Sequence, residues 1–185
     1  MVKDTRQNII DAAIFIFNED LSAPLEKVAD KAEVTRRTLH RYFKDRKDLF
    51  ICCNEEMQRS CKQAMTVAEQ SSEDPLKRLE HVFYAAIDCG VKYAFLHKLH
   101  HLSGHQHRHD NKDCIRYDET FGKTRMILET LKEKDIISRH VTVEWILVLF
   151  PGVISATIGA CTGGVTDREN LKKLAWFSFS KGIGL

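Results

Sequence analysis

Between Thr35 and Lys47, six cations (Arg36, Arg37, Arg41, Lys44, Arg46 and Lys47) stand against one acid, Asp45. With histidine neutral, that is a net +5 in thirteen residues of a chain that is only +2 overall. Charge gathered in this way suits a polyanion, because every phosphate contact needs a cation or a donor close at hand. Arginine adds a second capacity, since its planar fork grips guanine O6 and N7 together. Arg37 and Arg41 lie one helical turn apart, so a helix here carries both on one face. Imidazoles form the second concentration. Six of the nine histidines, His97, His100, His101, His105, His107 and His109, lie within thirteen residues, followed by Asp110, Asp113 and Cys114. On a helix, His97 and His101 at i,i+4 can share a metal ion, and the alternating His105, His107 and His109 suit an extended loop of similar ability. The plainer account is a polar connection in which histidine is tolerated, and such tracts bind metals in vitro in either case.

The elements that must position the cations are legible around them. Across Leu25–Leu49 the apolar residues Val28, Ala32, Val34, Leu39 and Tyr42 are spaced for two short helices, with the small Ala29 where they would cross. That is the arrangement of a helix-turn-helix, in which one helix braces another that enters the major groove of DNA. Thr35 can cap a helix over Arg36–Phe43, and Asp45 can cap the next, with Asp48 three residues on as in a capping box. An amphipathic helix over Thr5–Asn18 precedes the pair.

This order resembles the amino-terminal domain of TetR-family transcriptional repressors. The resemblance rests on Val28-Ala29-Asp30-Lys31-Ala32-Glu33-Val34-Thr35-Arg36-Arg37-Thr38-Leu39-His40-Arg41-Tyr42-Phe43, followed by Asp45-Arg46 and Leu49, and covers about the first fifty residues. It implies that Thr35, His40, Tyr42 and Arg46 contact phosphates, with Lys47 adding charge beside them. It also implies that Arg36, Arg37, Thr38 and Arg41 face base edges. Hydroxyls and cations position the backbone while arginines read bases, so the chemistry agrees with that division. Three positions depart from the family pattern. Ala23-Pro24 replaces a threonine pair, removing two hydroxyls. Glu33 stands at the usual turn glycine, so either a carboxylate faces the DNA side or the turn adjusts its geometry. His40 replaces a tyrosine, which makes its phosphate contact sensitive to pH.

Composition bounds the remainder. The chain has 185 residues, 43% of them hydrophobic, enough to bury a sizeable core. Proline occurs only at positions 24, 75 and 151, and no alternating β-branched run is flanked by turn pairs, so the expected fold is all-α. The start, MVKDTRQ, is polar and charged, unlike a signal peptide, and the expected location is cytoplasmic. In that compartment the six cysteines, at 52, 53, 61, 89, 114 and 161, are expected to be reduced and mostly buried, with the adjacent Cys52-Cys53 as the candidate for redox sensing. No nucleophile elbow, phosphate loop or HExxH spacing occurs, so no catalytic residues and no enzyme activity are expected.

Beyond the head, Leu49, Cys53, Met57, Ser60, Ala64 and Ala68 fall at helical spacing, which predicts one long helix. Ser71-Ser72-Glu73-Asp74-Pro75 breaks the chain, and a helix starting at Pro75 is expected to bury Leu76, Leu79, Phe83, Ala86 and Ile87. Another, at about Asp110–Lys134, carries Phe121, Leu128 and Leu131. Gly90 and Gly122 lower the expected helicity without ending either helix, since one glycine costs roughly 1 kcal/mol relative to alanine. Trp145–Thr166 holds 22 residues without a charge, long enough for a membrane span. Pro151, four glycines and Ser155 interrupt it, and no basic flank sets a topology, so no membrane is expected as a partner.

The family resemblance assigns that segment differently. It implies that helices at about Val143–Cys161 and Asp167–Lys181 form a four-helix homodimer interface, with Trp145, Leu149, Trp176 and Phe177 supplying buried area. The resulting expectation is an all-α regulator with a three-helix helix-turn-helix domain over residues 1–48 and a helical ligand-binding and dimerisation domain over residues 49–185. Its partners are an inverted-repeat DNA operator, a second copy and a small-molecule effector, with Phe83, Ile87, Tyr93, Phe121 and Phe150 as candidate effector contacts. No cofactor is required. Two other readings share the same head: a metal-responsive repressor using His97, His101, His105, His107 and His109, and an architectural DNA-binding dimer without an effector.

Overall fold

A computed structural model describes residues 4–100, 106, 108, 110–163 and 167–185, without the side chains of Asp113 and Thr120. The described elements are helices: α1 (Thr5–Glu19), α2 (Leu25–Lys31), α3 (Arg36–Tyr42), α4 (Arg46–Gln70), α5 (Pro75–Cys89), α6 (Val91–His100), α7 (Lys112–Glu133), α8 (Val143–Thr162) and α9 (Arg168–Gly182). Two compact units result, Met1–Arg59 and Ser60–Leu185, with α4 contributing residues to both.

The first unit closes around residues whose side chains have nowhere else to go. Ile9, Ala13 and Phe17 on α1, Val28 on α2, Leu39 on α3 and Leu49 and Cys53 on α4 are completely or almost completely buried. Each large aliphatic residue among them contributes about 1.5–3 kcal/mol over an exposed position. Ala29, buried at the α2–α3 turn, accepts the Val34 N–H at 3.0 Å, so the small residue sits where the chain reverses. Phe43 closes this core, whereas Tyr42, expected to point inward, is exposed.

The second unit is organised by α5, which packs against α7, α8 and α9. Asp74 caps α5 by accepting the Leu76 N–H at 2.8 Å, and Pro75 begins it as expected. Phe83 is the hub: its ring stacks on Phe179 at 5.2 Å and meets Phe150 and Trp176 edge-on, both at 5.5 Å. Gly90 corrects one expectation. With φ 59 and ψ −129 it ends α5, in a conformation that L side chains rarely adopt, and α6 starts at the next residue. Gly122, by contrast, lies inside an unbroken α7.

The inward stripe of α4 also differs from expectation beyond Met57. It continues through Cys61, Met65 and Ala68, while Ser60 and Ala64 are half-buried. Both series fit a 3.6-residue period, and the larger side chains won the core. The apolar helix α8 could cross a membrane by length and composition alone. Here it packs on α5, α6, α7 and α9, and Ile146, Phe150, Ile154 and Ile158 face that packing.

Candidate nucleic-acid interface

Local caps fix the helix that carries the cations. Thr35 accepts the Thr38 N–H at 3.1 Å, and the two threonine hydroxyls lie 3.0 Å apart, which starts α3 at Arg36. After α3, Asp45 accepts the Asp48 N–H at 2.9 Å, while Asp48 accepts the Lys44 N–H at 3.0 Å. This reciprocal cap begins α4 and holds the α3–α4 connection.

The turn before α3 shows how the sequence accommodates Glu33. That residue adopts φ 55, the left-handed conformation that a glycine would enter without strain. Ala23-Pro24, the other departure, gives α2 an N-terminus with no side-chain cap.

Within this frame, Thr35, Arg36, Arg37, His40, Arg41, Tyr42 and Lys47 are exposed, and Thr38 and Arg46 are half-buried. Their environments differ. Arg36 forms a 2.7 Å ion pair with Glu26 of α2, and the Arg41 guanidinium lies 5.3 Å from the Tyr42 ring centre. Among the described residues, neither Arg37 nor Lys47, both exposed, forms an ion pair. Arg46 is built into the head: its guanidinium donates to the carbonyls of Leu21 and Ala23 and lies 4.4 Å from the Phe17 ring centre. Sequence reasoning missed this brace, because nothing local links residue 46 to a loop more than twenty residues earlier.

In the second unit, the five candidate effector contacts separate. Tyr93, Phe121 and Phe150 come together with His97, Tyr117 and Pro151 around a cavity of about 60 Å³. Burial pushes the Tyr93 and Tyr117 phenols well above their ordinary values, so both remain neutral donors. Phe83 and Ile87 are instead enclosed in the α5 core. The larger opening, about 800 Å³, is a groove walled by Ser60, Gln63, Ala64 and Val67 of α4 and His81, Tyr84, Ala85, Asp88 and Cys89 of α5. At its rim Lys172 holds both Asp88 carboxylate oxygens at 3.0 Å. Helical spacing could not reveal this groove, because Ser60 and Ala64 carry the same pattern whether two helices touch or part.

Of the histidine cluster, His97 lines the small cavity and His100 stacks on Tyr117 at 3.6 Å. His101, His105, His107 and His109 lie outside the described residues. Among the described residues, no group of three or more histidine, cysteine or acidic side chains is placed to hold a metal ion.

On the outer side of the last two helices, Trp145, Val148, Leu174 and Phe177 are each more than half exposed. Gly152, Ser155 and Gly159 continue the exposed line along α8 without a charge. Leu149 and Trp176 are half-buried between this surface and the core.

No protein-family model matches the chain, and no curated protein matches its sequence. Solved structures do match its fold over nearly its whole length. The TetR-like transcriptional regulator LfrR from Mycobacterium smegmatis, in complex with proflavine, aligns with TM-score 0.69 and 22% identity over 98% of this chain and 97% of that one. Another structure of LfrR aligns with TM-score 0.61 and 20% identity, covering 96% of this chain and 99% of that one. A TetR-family transcription regulator from Marinobacter aquaeolei VT8 aligns with TM-score 0.65 and 13% identity, covering 97% and 95% of the two chains. The chain therefore has the all-α TetR-like fold, with an amino-terminal helix-turn-helix and a helical carboxy-terminal region.

Proposed function

We propose that the protein is a cytoplasmic, non-catalytic transcriptional regulator that binds an inverted-repeat DNA operator as a homodimer and leaves it when a small molecule binds. The observation that carries this reading is α3: a helix capped at its start by Thr35, anchored by the buried Leu39, with Arg37 exposed and in no ion pair among the described residues. A helix so held can enter a major groove, where Arg36, Arg37, Thr38 and Arg41 meet base edges. Thr35, His40, Tyr42, Arg46 and Lys47 then serve the phosphates on either side.

Dimerisation supplies the second half-site, because two recognition helices spaced about one turn of DNA read a palindrome. The exposed apolar side chains Trp145 and Val148 of α8 and Leu174 and Phe177 of α9 support that pairing. The α4–α5 groove supports the effector step, since its volume falls within the range for small-molecule sites. LfrR binds proflavine, and a planar aromatic cation of that kind is the probe to try first against this groove. The effector need only prefer the state that does not bind DNA: a tenfold preference shifts the balance by about 1.4 kcal/mol, within the usual range of couplings.

Selection of bound duplexes from a randomised DNA pool tests the reading directly. An enriched inverted repeat supports a sequence-specific dimer. A folded protein that enriches no sequence overturns it.

A further inference from the structure

The α4–α5 groove has a chemistry more specific than its volume. Ala64 and Ala68 of α4 and Ala85 of α5 line it, and such short side chains leave an apolar slot between the helices. Val67, apolar yet 64% exposed, and the half-buried Tyr84 complete its walls. Asp88 is the one carboxylate of the lining among the described residues, and it is already engaged. Lys172 Nζ lies 3.0 Å from both of its oxygens, and Arg168 Nη2 lies 3.5 Å from one. Glu169 holds the same lysine at 3.3 Å, so two acids and two cations close on one another and leave no charge for a ligand. His81 lines the groove near the α4–α5 connection. Beside it, Ser71 donates its single hydroxyl hydrogen to the Ala68 carbonyl at 2.5 Å, a group that can only accept. The same hydroxyl oxygen is in hydrogen-bond contact with His81 Nδ1, so Nδ1 must carry the hydrogen of that bond. In the neutral ring this makes Nε2 a lone-pair acceptor, and Nε2 has no partner among the described residues.

We propose that the groove takes an uncharged, planar aromatic molecule bearing a hydroxyl group, with its rings between the alanines and its O–H donating to His81 Nε2. Apolar walls supply the area that holds the ring body, and one placed acceptor fixes its orientation. A site built to receive a hydroxyl rejects the analogue that lacks it, because the acceptor is then left unpaired. An aromatic cation gains nothing here: Asp88 is occupied, and the approaching charge meets Lys172 and Arg168. Ser71 is a positioning residue, acting through the Nδ1 bond that sets the tautomer. That the bound molecule is the effector rests on the regulatory reading, whereas its binding does not.

The test compares the affinity of the whole protein, without DNA, for three fluorescent probes of one outline. These are 2-hydroxyanthracene, its methyl ether and the permanent cation N-methylacridinium. The hydroxyl probe should bind about tenfold more tightly than the ether, and the cation at least about tenfold more weakly than the hydroxyl probe. This comparison uses the wild-type protein and needs no variant to fold. In His81→Leu the hydroxyl preference should fall to about one, with the ether bound within about twofold of its wild-type affinity. Equal wild-type affinity for hydroxyl probe and ether would overturn the proposal. So would a cation that binds tightest, a preference that survives in a helical His81→Leu protein, or no binding of any probe. A DNA pool that enriches no sequence would sink the regulatory reading and leave this ligand class standing.

Discussion

Arg46 lies with its guanidinium 4.4 Å from the ring centre of Phe17, while its nitrogens hold the carbonyls of Leu21 and Ala23. The first residue of α4 thereby fastens the end of α1 and the loop before α2, the two elements behind the recognition helix. Arg46→Ala removes a cation–π contact and leaves two carbonyls without their donor, a loss of about 2 kcal/mol in stability. Denaturant unfolding of the variant measures it. Arg46→Lys keeps the charge without the planar fork and should recover less than half of the loss. An Arg46→Ala protein as stable as wild type would sink the bracing role.

Arg37 and Lys47 carry the regulatory reading in a separable way. Arg37→Ala should cost about 1–3 kcal/mol on the selected operator and relax discrimination at one or two base positions. Lys47→Ala should weaken all sequences alike and reduce the salt dependence by about one unit. Both residues are exposed, so neither change should disturb folding. Binding isotherms at several salt concentrations on operator and scrambled duplexes distinguish the effects. If Arg37→Ala left preference intact, the assignment of α3 as the reading helix would fail.

Much of the fold was legible because its punctuation is local. Thr35, Asp45, Asp74, Thr142 and Asp167 each accept a backbone N–H two or three residues ahead, and each begins a helix that the sequence placed to within a residue or two. Gly90 was harder, because propensity treats glycine as a small cost whereas its φ of 59 ends the helix outright. The groove and the Arg46 brace were not legible. Both depend on how segments distant in sequence approach, and the residue types that line them also fill cores. Phe83 illustrates the ambiguity, suitable by type for a ligand pocket yet packed against three aromatic rings.

Glu33 stores strain at φ 55 in the turn between α2 and α3. Glu33→Gly should therefore stabilise the protein by about 0.5–1 kcal/mol, the relief of the left-handed backbone exceeding the entropy lost by glycine. Chemical denaturation reads the gain. A destabilised variant would mean that the Glu33 side chain contributes more than its backbone costs.

The α4–α5 groove makes a prediction that does not require the natural effector. Ala85 is half-buried in its wall, so Ala85→Trp should obstruct it while leaving the helix intact. A planar aromatic dye followed by fluorescence should bind the variant at least about tenfold more weakly, about 1.4 kcal/mol. Unchanged dye affinity, with unchanged helicity, would move the ligand site away from α4 and α5.

Val148 and Phe177 are 63% and 61% exposed, an unusual place for two large apolar side chains on neighbouring packed helices. If a second copy covers them, a carboxylate at either position would be buried without a partner in the dimer, at a cost of several kcal/mol. In the monomer the same carboxylate is hydrated and costs little. Val148→Asp and Phe177→Asp should therefore leave helicity and thermal unfolding of the protomer nearly unchanged. Each should weaken self-association by about a hundredfold or more, as read by sedimentation velocity across a concentration series. DNA binding should weaken with it, because a lone recognition helix reaches only one half of the inverted repeat. A variant that remains dimeric would place the interface elsewhere, whereas a monomer retaining full operator affinity would separate DNA reading from dimerisation.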